Sequence, residues 1–107
     1  MRKIIKFKQE FFEDIKNGVK TQTMRMPNKR MDVESGEIII ALFPNGEELK
    51  LRITDYGYKA FKSINDDDAE REGFSSVEEL KECLKNIYNI FRIEDYNRFY
   101  FYRFEVI

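Results

Sequence analysis

Apolar and polar residues alternate along this chain in short blocks, and each block carries its own period. Ile4, Ile5 and Phe7 open it as a short apolar strand. From Lys8 to Asn17 the apolar positions Phe11, Phe12 and Ile15 fall at helical spacing, with charges between them. Gly18 suits the left-handed residue that stops such a helix, since it has no Cβ to clash there. A strand then runs from Lys20 to Arg25. The following polar segment, Met26 to Ser35, contains Pro27 and reads as a basic connector, with a lid or ligand-contacting loop as the alternative.

The second half is patterned as clearly. Ile38 to Phe43 is almost wholly apolar, as expected of a strand covered on both sides. Pro44-Asn45-Gly46 is a hairpin signal. The returning strand alternates Leu49, Leu51 and Ile53 with Lys50, Arg52 and Thr54, and Tyr56, Tyr58 and Phe61 extend it. These aromatics read as core or rim packing, with stacking on bases as the alternative. Asn65 or Asp66 caps a short helix that ends at Glu72, with Gly73 as its stop. Ser75 and Ser76 each have a glutamate three residues on, a capping-box pattern. The helix they open runs to about Tyr88 and buries Val77, Leu80, Leu84 and Ile87. Cys83, beside that face, reads as a small buried side chain. The aromatic run from Arg98 to Ile107 is a final strand, expected in the interior of the sheet. About five strands with inserted helices predict a single α+β domain, a small, partly closed barrel.

Composition narrows the chemistry. The chain has 107 residues, no histidine and one cysteine. A His-based triad and an internal disulfide are therefore ruled out, and a metal centre and other cofactors are not expected. No apolar run approaches the roughly 20 residues of a membrane helix, and the N-terminus lacks a signal-peptide core. A soluble cytoplasmic protein is the expectation. The net charge of −1 hides an asymmetry: residues 1–31 hold nine basic and three acidic side chains, whereas residues 65–82 hold eight acidic and two basic. The basic third faces either phosphates or the acidic helices of its own chain.

One constellation stands out. Thr21, Thr23 and Arg25 alternate and would share a strand face, with the Lys20 ammonium close by. Lys20 and Thr23 are three apart, so a regular strand would separate them. Both reach one cleft only if Lys20 lies in the turn before the strand, or if a bulge intervenes. The turn is the prediction.

In this order the chain resembles the ASCH family, the domains named for homology to the transcriptional coactivator ASC-1. The carrying residues are Gly18-x-Lys20-Thr21-x-Thr23-x-Arg25, then Gly36-Glu37 before an apolar strand. Ala69-Glu70-Arg71-Glu72-Gly73-Phe74, Ser76-x-Glu78-Glu79-Leu80 and the closing aromatic strand complete the set. Glu37 departs from the aspartate that many members carry there. The resemblance implies a β-barrel related to the RNA-binding PUA domain, with a ligand cleft lined by Lys20, Thr23, Arg25 and Glu72; Thr21, on the alternating face, is a further ligand-binding candidate. Small bacterial members hydrolyse N(4)-acetylcytidine, which implies Lys20, Thr23 and Glu72 as catalytic residues. Three readings follow from it. The cleft binds RNA or a modified nucleoside or nucleotide, the preferred reading. Alternatively, Thr23 attacks an acyl amide after Lys20 takes its proton. In the third, an Arg25–Glu72 ion pair merely ties helix to sheet.

Overall fold

β1 (Ile4–Lys6) lies parallel to β3 (Ile38–Leu42), which forms a hairpin with β4 (Glu48–Ala60). The computed structural model describes residues 3–88, 94 and 97–107. β4 continues antiparallel to β5 (Arg98–Val106), and β5 in turn pairs with β2 (Gln22–Arg25). The result is a five-stranded mixed sheet in the order β1-β3-β4-β5-β2. The helices α1 (Phe12–Lys16), α2 (Asp66–Glu72) and α3 (Val77–Tyr88) complete an α+β architecture. No helix among the described residues is long and apolar enough to cross a membrane.

The sheet is not closed into a barrel. Its edges are β1 and β2, which share no ladder. A side chain spans the gap between them: Arg25 Nη2, from one edge, donates to the Lys6 carbonyl on the other at 2.8 Å. The sheet is therefore curled until its edges are one arginine apart. β1 is only three residues long, too short to complete the ring of main-chain bonds.

The period of the sequence decides which side chains meet on each face. Ile5, Ile39, Ala41, Leu51, Ile53, Tyr102 and Phe104 fill one face, together with Ile15 from α1 and Val33 from the segment before β3. Met24 and Phe99 form the other with Phe61, Ile64, Ala69, Leu80 and Leu84. α3 thus buries the Leu80 and Leu84 stripe its periodicity predicts, with Val77 partly buried against it; the Ile87 side chain lies outside the described residues. The first helix is shorter than its pattern predicts, because a 3₁₀ turn at Gln9–Phe11 takes up its start. Nor is the Met26 to Ser35 segment a purely polar connector. Val33 enters the core, and the Tyr102 hydroxyl bonds both the N–H of Met31 (2.7 Å) and its carbonyl (3.2 Å).

β4 holds a feature its sequence pattern did not announce. Ile53 faces Phe104 and Asp55 faces Arg103, with Thr54 bulged out between them. One extra residue reverses the faces of everything after it. Tyr56 and Tyr58 consequently stand on the side of Tyr102 and Tyr100, their register partners, instead of on the opposite side. Gly57, on the reverse side, lies under Phe101: a Cβ there would stand 3.0 Å from two atoms of that ring. Gly57→Ala is expected to cost about 1–2 kcal/mol through this overlap, read from urea denaturation. An unchanged midpoint would show that Phe101 moves aside freely.

Candidate functional site

α1 ends with Gly18 at φ +76°, and the N–H groups of Val19 and Lys20 both return to the Asp14 carbonyl, at 2.8 and 3.0 Å. This fixes Lys20 in the turn before β2, which begins at Gln22. Thr21 N–H then bonds the Arg71 carbonyl at 2.7 Å, docking the last turn of α2 against the approach to β2. Gly73, left-handed at φ +87°, stops α2 immediately after Glu72. Glu72 is thereby held over Lys20.

The two side chains form a buried ion pair. Lys20 Nζ donates to Glu72 Oε1 at 3.0 Å and lies 3.4 Å from the Glu72 carbonyl oxygen; the pair is 3% and 4% exposed. The ammonium also sits 4.7 Å from the centre of the Phe11 ring. Burial pushes the Glu72 carboxyl above the ordinary glutamate range, opposed by the charge and hydrogen bond of Lys20 and by the Gln22 amide. Its second oxygen, Oε2, is buried and has no hydrogen-bond partner among the described residues. A buried carboxylate oxygen without a donor is costly and marks a place where a polar group belongs.

Beside this pair is a cavity of about 80 Å³ in the gap between the two sheet edges. Lys20, Thr23, Arg25 and Glu72 line it, with Lys6, Phe7 and Lys8 from the β1 side, Phe74 from the α2–α3 connection and Leu80 and Cys83 from α3. Thr23 and Arg25 share a strand face, as the alternation predicts, and Lys20 joins them from the turn. Thr21 does not line the cavity; its main chain ties β2 to α2 and β5 instead. The carboxylate partner of Lys20 is Glu72, while Arg25 bridges to β1 and lies 5.3 Å from the Phe7 ring centre. Burial raises the Cys83 thiol above its usual range, which fits packing rather than nucleophilic chemistry.

Two contributors were not singled out from sequence. Phe11 was assigned only to the apolar face of the first helix, yet its ring backs the ammonium. Gln22 is fully buried on the reverse face of β2, where its Nε2 donates to Asp68 Oδ1 at 3.2 Å. A polar residue between Thr21 and Thr23 gave no sign of this, because its partner lies 46 residues away. Asp68 also accepts from Lys59 (2.8 Å) and from the Asn65 N–H (3.0 Å), completing the capping box of α2. Burial alone would raise its carboxyl, but these three donors outweigh it and hold Asp68 below the ordinary aspartate range.

Comparison with solved structures identifies the fold. An ASCH domain from Lactobacillus crispatus JV V101 superposes with a TM-score of 0.75 at 16% identity, over 88% of this chain and 68% of that one. The chain has the fold of an ASCH domain. A DUF984 protein from Enterococcus faecalis V583 shares this ASCH-type architecture with a TM-score of 0.79 at 16% identity, covering all of this chain and 77% of that one. The hypothetical protein PH0355 matches over the full length of both chains with a TM-score of 0.73 and 25% identity. Neither a family model nor a curated protein matches the sequence.

Proposed function

We propose that this ASCH-type domain binds RNA or a modified nucleoside or nucleotide at the Lys20–Glu72 cavity. The observation that carries the reading is Oε2 of Glu72, buried and without a hydrogen-bond partner among the described residues, on a residue that lines a cavity shared with Thr23 and Arg25. A carboxylate oxygen so placed accepts from an N–H donor, such as the exocyclic amine of a base. The Thr23 hydroxyl supplies a donor or acceptor, and the basic side chains of Lys6, Lys8 and Arg25 favour a ligand that brings phosphate. Size limits what enters. A volume of about 80 Å³ is that of roughly two to three waters, whereas sites enclosing whole ligands hold about 300–1,000 Å³. The cavity takes a base edge or an acyl group, and the sugar and phosphate stay outside.

A second reading, hydrolysis of an N(4)-acylated cytidine, has its own support: Lys20, Thr23 and Glu72 line one cavity. Thr23 Oγ would attack the acyl carbon as its proton passes to Lys20. The C–N bond would break with that proton going to the leaving amine, and water would hydrolyse the threonyl ester to release the acid.

Incubation with N(4)-acetylcytidine separates the readings. On the binding reading the nucleoside binds and is recovered intact, and Thr23→Ala weakens binding by about tenfold or less, the loss of one hydrogen bond. Release of cytidine and acetate that disappears in Thr23→Ala would replace binding by catalysis. Failure to bind any nucleoside or RNA would remove both.

A further inference from the structure

The bulge in β4 has a consequence on the far side of β5 from the cavity. Register pairs Thr23 with Tyr102 and Tyr102 with Tyr56, while Arg25 pairs with Tyr100 and Tyr100 with Tyr58. Paired residues share a sheet face, so two rows run across the strands: Thr23–Tyr102–Tyr56 and Arg25–Tyr100–Tyr58. Each row starts at the cavity and ends on a tyrosine. The outer two, Tyr56 and Tyr58, are 46% and 56% exposed. With residues 30–34 as the facing wall, the four tyrosines line a trough of about 530 Å³, large enough for a planar heterocycle.

We infer that this tyrosine trough is a second ligand site, which stacks an unpaired base of a single-stranded RNA whose neighbouring nucleotide addresses the cavity. Tyr58 and Tyr100 lie with ring centres 5.8 Å apart and tilted by 56°, so they form an open pair rather than a closed stack. Arg98 sits 4.7 Å from the centre of the Tyr58 ring, and Arg30 sits 5.3 Å from that of Tyr100. These exposed guanidiniums do two things. Their positive charge beside the rings means that a cationic ligand such as a methylated lysine would meet like charge. They also place permanent positive charge where the phosphates of a stacked strand would run. Asp32 and Glu34, on the facing wall, are acceptors for base amines. Adjacent strands are about 4.8 Å apart, so Thr23 and Tyr56 stand roughly 10 Å apart across the row, within the reach of adjacent nucleotides. A free nucleoside would fill the cavity and leave the trough empty.

The inference rests on the cavity reading for the identity of the ligand, so the test measures the sites separately. A fluorescein-labelled eight-nucleotide oligouridine or oligocytidine RNA is titrated by anisotropy against the intact protein, against Tyr56→Ala/Tyr58→Ala and against Tyr56→Phe/Tyr58→Phe. Cytidine and N(4)-acetylcytidine are titrated in parallel. Both tyrosines are exposed, so the folded state should survive, which circular dichroism checks. The expected result is RNA affinity reduced by about tenfold or more in the alanine variant, restored in the phenylalanine variant, with nucleoside affinity unchanged in both. Equal RNA binding by all three proteins would overturn the trough and leave the cavity reading intact. So would binding of nucleosides without binding of RNA, or tighter binding of a trimethyl-lysine peptide than of RNA. Loss of nucleoside binding along with RNA binding in the alanine variant would also overturn it, by showing one site in place of two.

Discussion

Lys20→Ala is expected to lower the unfolding free energy by about 3–5 kcal/mol, because it leaves the Glu72 carboxylate buried without its counter-ion. For a domain of this size that corresponds to a fall in Tm of roughly 15 °C or more. The effect has a pH signature. In the folded protein Glu72 already holds its proton more tightly than in the unfolded chain, chiefly through burial. Removing the lysine strengthens that preference. Between the ordinary glutamate value and the raised folded-state value the folded form binds more protons, so stability falls as pH rises through this window. The variant should therefore recover stability on acidification, which thermal melts across the acidic range would show. Lys20→Met combined with Glu72→Leu removes both charges and should regain most of the lost stability while losing ligand. A single variant as stable as the wild type would mean that the pair is solvated and contributes little.

The second large effect is expected at Asp68. Its carboxylate accepts from Lys59, Gln22 and the Asn65 N–H, tying β4, β2 and the start of α2 together. Asp68→Ala leaves the fully buried Gln22 amide and the capping N–H without this acceptor, at a cost of about 3 kcal/mol or more. Here the sign is opposite to that of Glu72. The folded-state pKa is depressed, so the stabilisation is complete above the ordinary aspartate range and is lost as pH falls through the folded value. Guanidinium melts of wild type and variant should converge at strongly acidic pH. A constant difference down to the acid limit would show that the loss comes from packing and not from the charge.

Much of this was legible in the sequence, for local reasons. Gly18 and Gly73 announced their helix stops because left-handed backbone selects glycine, and both adopt it. The five strands followed from their periods, and the three-residue spacing of Lys20 and Thr23 was enough to place Lys20 in the turn. What escaped depends on distant contacts. The expected partial closure became an open edge bridged by Arg25, since the length of β1 and the curl of the sheet are settled by tertiary packing. Thr21 satisfied the alternation rule, yet it precedes β2 and anchors through its main chain. The bulge at Thr54 has no sequence mark, and without it nothing places Tyr56 and Tyr58 on the face of Tyr102 and Tyr100. Gln22 looked like a strand filler because its partner, Asp68, arrives with α2.

Ligand recognition at the cavity requires that a nucleobase meet the Lys20–Glu72 pair. The most direct measurement is a two-dimensional amide and methyl NMR titration of the intact protein with cytidine and N(4)-acetylcytidine. The predicted result is saturable shifts centred on Lys20, Thr23, Arg25 and Glu72 and on the Leu80 and Leu84 methyls, absent in Glu72→Gln. Shifts scattered over the surface, or a saturable site that leaves these residues unmoved, would contradict it.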